Sequence, residues 1–349
     1  MTNSTAVLRL QKQLDEERRL VSFDSYDMTV RQIFDMFVEG AIFVPPEYQR
    51  QFVWDIERES ELIESILLGI PVPSLFMATN PDSTWEIVDG VQRLSTIVHF
   101  IDPSPEFLSR IVRKTGLKIT GLEKLTELND FVFSDLAKSI QLMFMTRPIR
   151  VTVLNDKSDL SVRFDLFERL NTGGVLLTNQ EIRNCIFRGV FNQDLKKLSK
   201  VVDFNTAVRL KESAQQNGMI EEYVLRFFAY LDNHENFDGS VKFFLNNYMK
   251  ANSNNNIPAK KMTLFRKTFA ALATAYPDGI TRGQSSTTGA NLYEALAVGV
   301  AMALTEGRVI STAVLSKLAE DPGLKKLTTA GTNSRRMVLS RITYVRDAF

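Results

Sequence analysis

Cysteine and histidine are almost missing from this chain of 349 residues, which has one cysteine, Cys185, and two histidines, His99 and His234. A single cysteine excludes an internal disulfide and fits a reducing compartment, so a cytoplasmic location is expected. Two histidines leave little for a histidine-rich metal centre. Long apolar runs are missing too: the longest, residues 295–304, is interrupted by Gly299 and falls short of the roughly 20 residues a spanning helix needs. No membrane helix is expected. The N-terminal segment lacks a basic stretch followed by an apolar one and reads Leu14-Asp15-Glu16-Glu17-Arg18-Arg19, so secretion is not expected either. Net charge is only +1, yet residues 250–349 carry about +8 and residues 1–249 about −7. Any basic surface therefore belongs to the C-terminal third.

What is present is the composition of a globular protein, 44% hydrophobic and 24% charged. Val7, Leu10 and Leu14 lie at helical spacing in an exposed charged segment over residues 5–20. Thr29 and Gln32 have capping-box spacing ahead of Ile33, Phe34 and Phe37, with Gly40 as the stop. Residues 41–44 read as a short strand ended by Pro45-Pro46. Asp55 is the expected cap of a helix whose Leu62, Ile63, Ile66 and Leu67 form one apolar face before Gly69 and Pro71. Residues 74–78 and 85–88 are predicted strands around the turn Asn80-Pro81-Asp82-Ser83. Helical period resumes at Gln92, and residues 148–154 are the last β-branched run. Beyond them every segment has helical period, including a helix capped by Thr178 and Glu181 that runs to about Arg188. Residues 251–256 and 281–289 read as surface loops. The expected class is α+β, a mixed α/β first half followed by a mostly helical second half.

Three segments could carry chemistry. In Asp89-Gly90-Val91-Gln92-Arg93 a buried strand delivers a glycine to the start of a helix, where unpaired N–H groups, partial positive charge and an arginine suit a phosphate. Asp89 could orient Arg93, hold a divalent metal or position a water; the bland alternative is a turn followed by a salt bridge. Tyr48-Gln49-Arg50 sits in a proline-started loop, where Arg50 and Gln49 could reach a phosphate or base and Tyr48 could stack or plug the core. In Phe167 to Thr178, a helix end followed by a helix start accounts for the glycines and threonine and leaves Asn171 over.

Taken in this order and spacing, Tyr48-Gln49-Arg50, Asp89-Gly90-Val91-Gln92-Arg93 and the Phe167–Thr178 segment resemble the N-terminal domain of GmrSD-type modification-dependent restriction endonucleases, over about residues 28–250. The resemblance implies a ParB/sulfiredoxin-like fold in residues 28–156, after an N-terminal helical extension (1–27) and before a helical region (157–349). It implies nucleoside triphosphate binding by Gly90, Arg93, Gln49, Arg50, Tyr48 and Asn171, catalysis through Asp89 and Gln92, a magnesium ion, and defence against phage DNA. Val91 departs from the family, which usually has glutamine there. The nuclease domains of such systems use histidine, and residues 250–349 contain none, so the cutter is expected to be a separate protein or the ParB-like core itself.

Arg335, Arg336, Arg341 and Arg346 share a predicted terminal helix with Met337, Val338, Ile342 and Val345, an arrangement in which the apolar residues seat the helix and the arginines face DNA. A solvated helix balancing the acidic first half is the alternative. Lys260 and Lys261 carry the same two readings.

Overall fold

The computed structural model describes the chain apart from residues 1, 19–21, 46–53, 112, 156–159, 171–176, 213, 215–216, 330 and 332. Two compact units divide it, Met1–Leu176 and Leu177–Phe349.

The first unit is the mixed α/β half. Its elements are α1 (Thr2–Arg18), β1 (Phe23–Thr29), α2 (Val30–Val38), β2 (Ile42–Phe43), α3 (Ile56–Leu68), β3 (Leu75–Thr79), β4 (Trp85–Asp89), α4 (Val91–Ile101), α5 (Pro105–Arg110), α6 (Lys138–Met145), β5 (Pro148–Leu154) and α7 (Leu160–Leu170). The capping box at Thr29 closes as the spacing predicts, with Gln32 N–H on the threonine hydroxyl and the glutamine side chain on the Thr29 N–H. Asp55 caps α3 through Arg58 N–H, and Gly69 ends it in the left-handed conformation. Gly69 is the residue type that adopts this geometry without Cβ strain.

One five-stranded sheet runs in the order β1-β5-β3-β4-β2. β3 and β4 form the predicted antiparallel pair, β3 and β5 are parallel, β1 and β5 antiparallel, and β2 and β4 parallel. Leu75, Met77, Ile87 and Val151 from the sheet and Ile63, Leu94, Ile97 and Phe144 from the helices fill the core. Each such side chain stabilises the fold by about 1.5–3 kcal/mol relative to exposure. Strand β1 was not expected from the sequence. Phe-Asp-Ser-Tyr-Asp-Met-Thr offers no continuous apolar face, because β1 is an edge strand whose first five residues are exposed. Its acidic residues blunt the open edge.

The second unit is helical: α8 (Asn179–Ile186), α9 (Val190–Leu198), α10 (Val202–Ala207), α11 (Met219–Asn233), α12 (Val241–Asn252), α13 (Ala259–Ala275), α14 (Ala290–Thr305), α15 (Thr312–Leu318), α16 (Pro322–Thr328) and α17 (Arg335–Arg346). Thr178 and Glu181 cap α8 reciprocally, as predicted. Aromatic rings from α10, α11, α13 and α14 build the core, with Phe204, Phe227, Phe265, Phe269 and Tyr293 in edge or stacked contact. Among the described residues no helix is long and apolar enough to cross a membrane.

Candidate functional site

Strand β4 ends at Asp89, and Gly90 turns the chain into α4 with φ +99°, a conformation that favours glycine. A Cβ here would stand 2.5 Å from Leu75 Cδ2 and 3.0 Å from Arg93 Nη2, so the turn has no room for a side chain. The N-terminus of α4 has no side-chain cap and no acidic residue in its first turn. As at any helix start, the first N–H groups have no acceptor one turn earlier in the helix, and the positive end of the helix dipole lies here.

Arg93 lies one turn into α4 and folds back over the glycine. Its Nη2 donates to Asp89 Oδ2 at 2.7 Å and to the Ser74 carbonyl at 3.1 Å. The guanidinium is thus anchored at the end of the sheet where β3 begins and β4 ends. Its Nε is shielded from solvent and has no hydrogen-bond partner among the described residues. A buried donor without an acceptor is costly, by about 1–3 kcal/mol, unless a ligand supplies one. The Asp89 and Arg93 side chains keep 28% and 16% of their surface exposed, so the pair is reachable from solvent.

Val91 is buried. This position faces the core, which is why valine is accommodated. Gln92, expected as catalytic, instead has its side-chain oxygen on the Trp54 N–H at 3.2 Å. Tyr48, Gln49, Arg50 and Asn171 lie outside the described residues.

Sequence reasoning missed a buried group behind the turn. Glu59 on α3 is fully buried and pairs with Arg113 and with His99 on α4, whose Nδ1 is 2.6 Å from Glu59 Oε2. A signal was available, since Glu59 falls three and four residues before Leu62 and Ile63 on the apolar face of its helix. A carboxylate in an apolar stripe announces a buried partner.

The C-terminal basic residues divide. Arg335 and Arg336, at the start of α17, are exposed, and so is Lys260 on α13. Arg341 is a correction: it is fully buried and paired with Glu294, so it cannot meet DNA phosphates. It ends a chain of ions in which Arg183 meets Glu222, Glu222 meets Arg226, and Arg226 meets Glu294. Arg346 pairs with Asp347, and Lys261 with Asp232. Lys260, Lys261 and Lys267 also line a cleft of about 640 Å³ whose wall mixes Leu231, Leu264 and Met302 with the carboxylates of Asp232 and Glu306.

These features define the first unit as a strand–glycine–helix α/β domain with an anchored arginine at the turn. Residues 30–188 match the family described as GmrSD restriction endonuclease, N-terminal domain. The match begins close to the expected start and runs on through α8, ending at 188 and covering less than half of the chain. No curated protein matches the sequence.

Proposed function

We propose that the chain is a nucleotide-binding component of a bacterial restriction system directed at phage DNA, with the triphosphate at the Gly90 turn and a ParB/sulfiredoxin-like first half. The observation that carries this reading is a helix start whose cap residue, Gly90, has no side chain, beside an Arg93 Nε that has no acceptor among the described residues. Phosphate oxygens satisfy both sets of donors at once. Asp89 holds the guanidinium in place and offers its carboxylate next to the bound phosphates. Among the described residues no three side chains of metal-ligating type converge, so a magnesium ion here would ride mainly on phosphate oxygens, with Asp89 as its protein ligand. Such an ion would neutralise phosphate charge.

The exposed Arg335, Arg336 and Lys260 support DNA contact by the helical unit. A second reading, in which the nucleotide is bound as a switch and not hydrolysed, is favoured by one observation: Gln92 Oε1 is already engaged by Trp54 and Val91 is buried. Two experiments test these readings. An Asp89→Ala chain that folds is expected to lose protection against phage; full protection contradicts a working site at the turn. Release of labelled phosphate by the wild-type chain and its partner decides between hydrolysis and switch.

A further inference from the structure

Trp54 is held by its backbone from two sides. Its N–H donates to Gln92 Oε1 at 3.2 Å, and its carbonyl accepts from Arg113 Nη2 at 2.6 Å. Arg113 is anchored in turn on Glu59, which is fully buried, and the other Glu59 oxygen faces His99 Nδ1 at 2.6 Å. His99 Nε2 is 2.7 Å from the Thr115 carbonyl, so both nitrogens of a buried ring face oxygen acceptors. Buried ion networks of this kind rarely raise stability over apolar packing, and breaking one is strongly destabilising. Their specific product is geometry.

That geometry ties two helix starts together. Gln92 sits between Gly90 and Arg93 in the first turn of α4, and Trp54 immediately precedes Asp55, the cap of α3. The Gln92–Trp54 bond joins these starts, and the Glu59–His99 contact fixes the same two helices again further along. With both attachments in place, a shift in the first turn of α4 has to move Trp54.

We infer that Gln92 is a positioning residue that latches Trp54 to the phosphate turn, so that occupancy of the turn is transmitted to Trp54. The inference rests on the proposed phosphate site for its ligand, but the latch itself is present without one. Alanine at position 92 removes the acceptor for the Trp54 N–H. Glutamate retains a side-chain oxygen at the same reach and is the conservative rescue.

The chain has two tryptophans, Trp54 and Trp85, so a Trp85→Phe background makes Trp54 the sole indole reporter. In the absence of ligand, Gln92→Ala is expected to raise acrylamide quenching of Trp54 roughly twofold, a signature of local loosening, while Gln92→Glu stays near the parent. Quenching equal in the alanine variant and the parent overturns the latch. Inorganic tripolyphosphate is the second probe, because it presents phosphates without a base. It is expected to shift Trp54 emission in the parent, whereas in Gln92→Ala calorimetry still registers binding and the emission stays still. An emission shift that survives Gln92→Ala overturns transmission through Gln92. Absence of tripolyphosphate binding by calorimetry in the parent refutes the phosphate site and, with it, transmission from that site; the ligand-free quenching result decides the latch on its own.

Discussion

Replacing Gly90 by alanine tests the geometry of the turn, and Gly40→Ala supplies the control. Both glycines have positive φ, +99° at Gly90 and +77° at Gly40. Forcing an L-residue into this region costs about 1–2 kcal/mol at either position. The two differ in what the new methyl meets: nothing lies within 4 Å at Gly40, whereas at Gly90 the Cβ stands 2.5 Å from Leu75 Cδ2. Leu75 is fully buried at the start of β3, so it has little space to move into, and overpacking of this kind adds about 1–3 kcal/mol. Gly90→Ala is therefore expected to destabilise by about 2–5 kcal/mol, and Gly40→Ala by about 1–2 kcal/mol. Urea unfolding followed by circular dichroism, with the slope checked for constancy, gives both numbers. Equal destabilisation in the two variants would refute the claim that the Gly90 turn is closed to side chains.

The buried and exposed arginines should part company: Arg341→Ala, which leaves Glu294 with Arg226 as its cationic partner among the described residues, is expected to cost about 3–5 kcal/mol, and the double change Arg335→Ala with Arg336→Ala less than about 0.5 kcal/mol. The same double variant should lower the log–log salt slope of DNA binding by about two, from a value near −3 set by Arg335, Arg336 and Lys260; an unchanged slope returns the helix to a solvated face. Acid sensitivity is expected from Glu222, where burial pushes the carboxyl up but Arg226 and Arg183 more than reverse it, so that it titrates below the usual glutamate range. Its stabilisation is full above the unfolded value of about 4.3 and is lost as pH falls through the folded value; urea midpoints for wild type and Glu222→Gln that fall in parallel below that pH would contradict this. At the alkaline end, burial pushes the Tyr223 and Tyr276 phenols up to about 12, so stability present below the free tyrosine value of about 10 should fall as pH rises toward 12.

Periodicity made the interior of the α/β half legible, because its helices and central strands have one apolar face each and capping residues at the expected offsets. Thr29, Asp55, Gly69 and Thr178 do what their residue types imply. β1 escaped because an exposed edge strand owes its conformation to pairing with β5, whose partners lie 119 (Thr29–Pro148) to 131 (Phe23–Leu154) residues away in sequence and are invisible in local composition. At the site, the strand–glycine–helix–arginine order could be read directly. The partners of its side chains could not, since Ser74, Trp54 and Arg113 reach the turn only through tertiary folding. The basic C-terminal helix shows the same limit: charge count grouped Arg341 with Arg335 and Arg336, and only the buried Glu294 separates them.

Calorimetric titration of a nucleoside triphosphate into wild-type protein and into Arg93→Ala tests the central claim most directly. Arg93 is expected to contribute a charge-assisted hydrogen bond to the phosphates, so its loss should weaken binding at least tenfold, about 1.4 kcal/mol. Equal affinity in the two proteins, or no binding by the wild type, would contradict a phosphate site at the Gly90 turn.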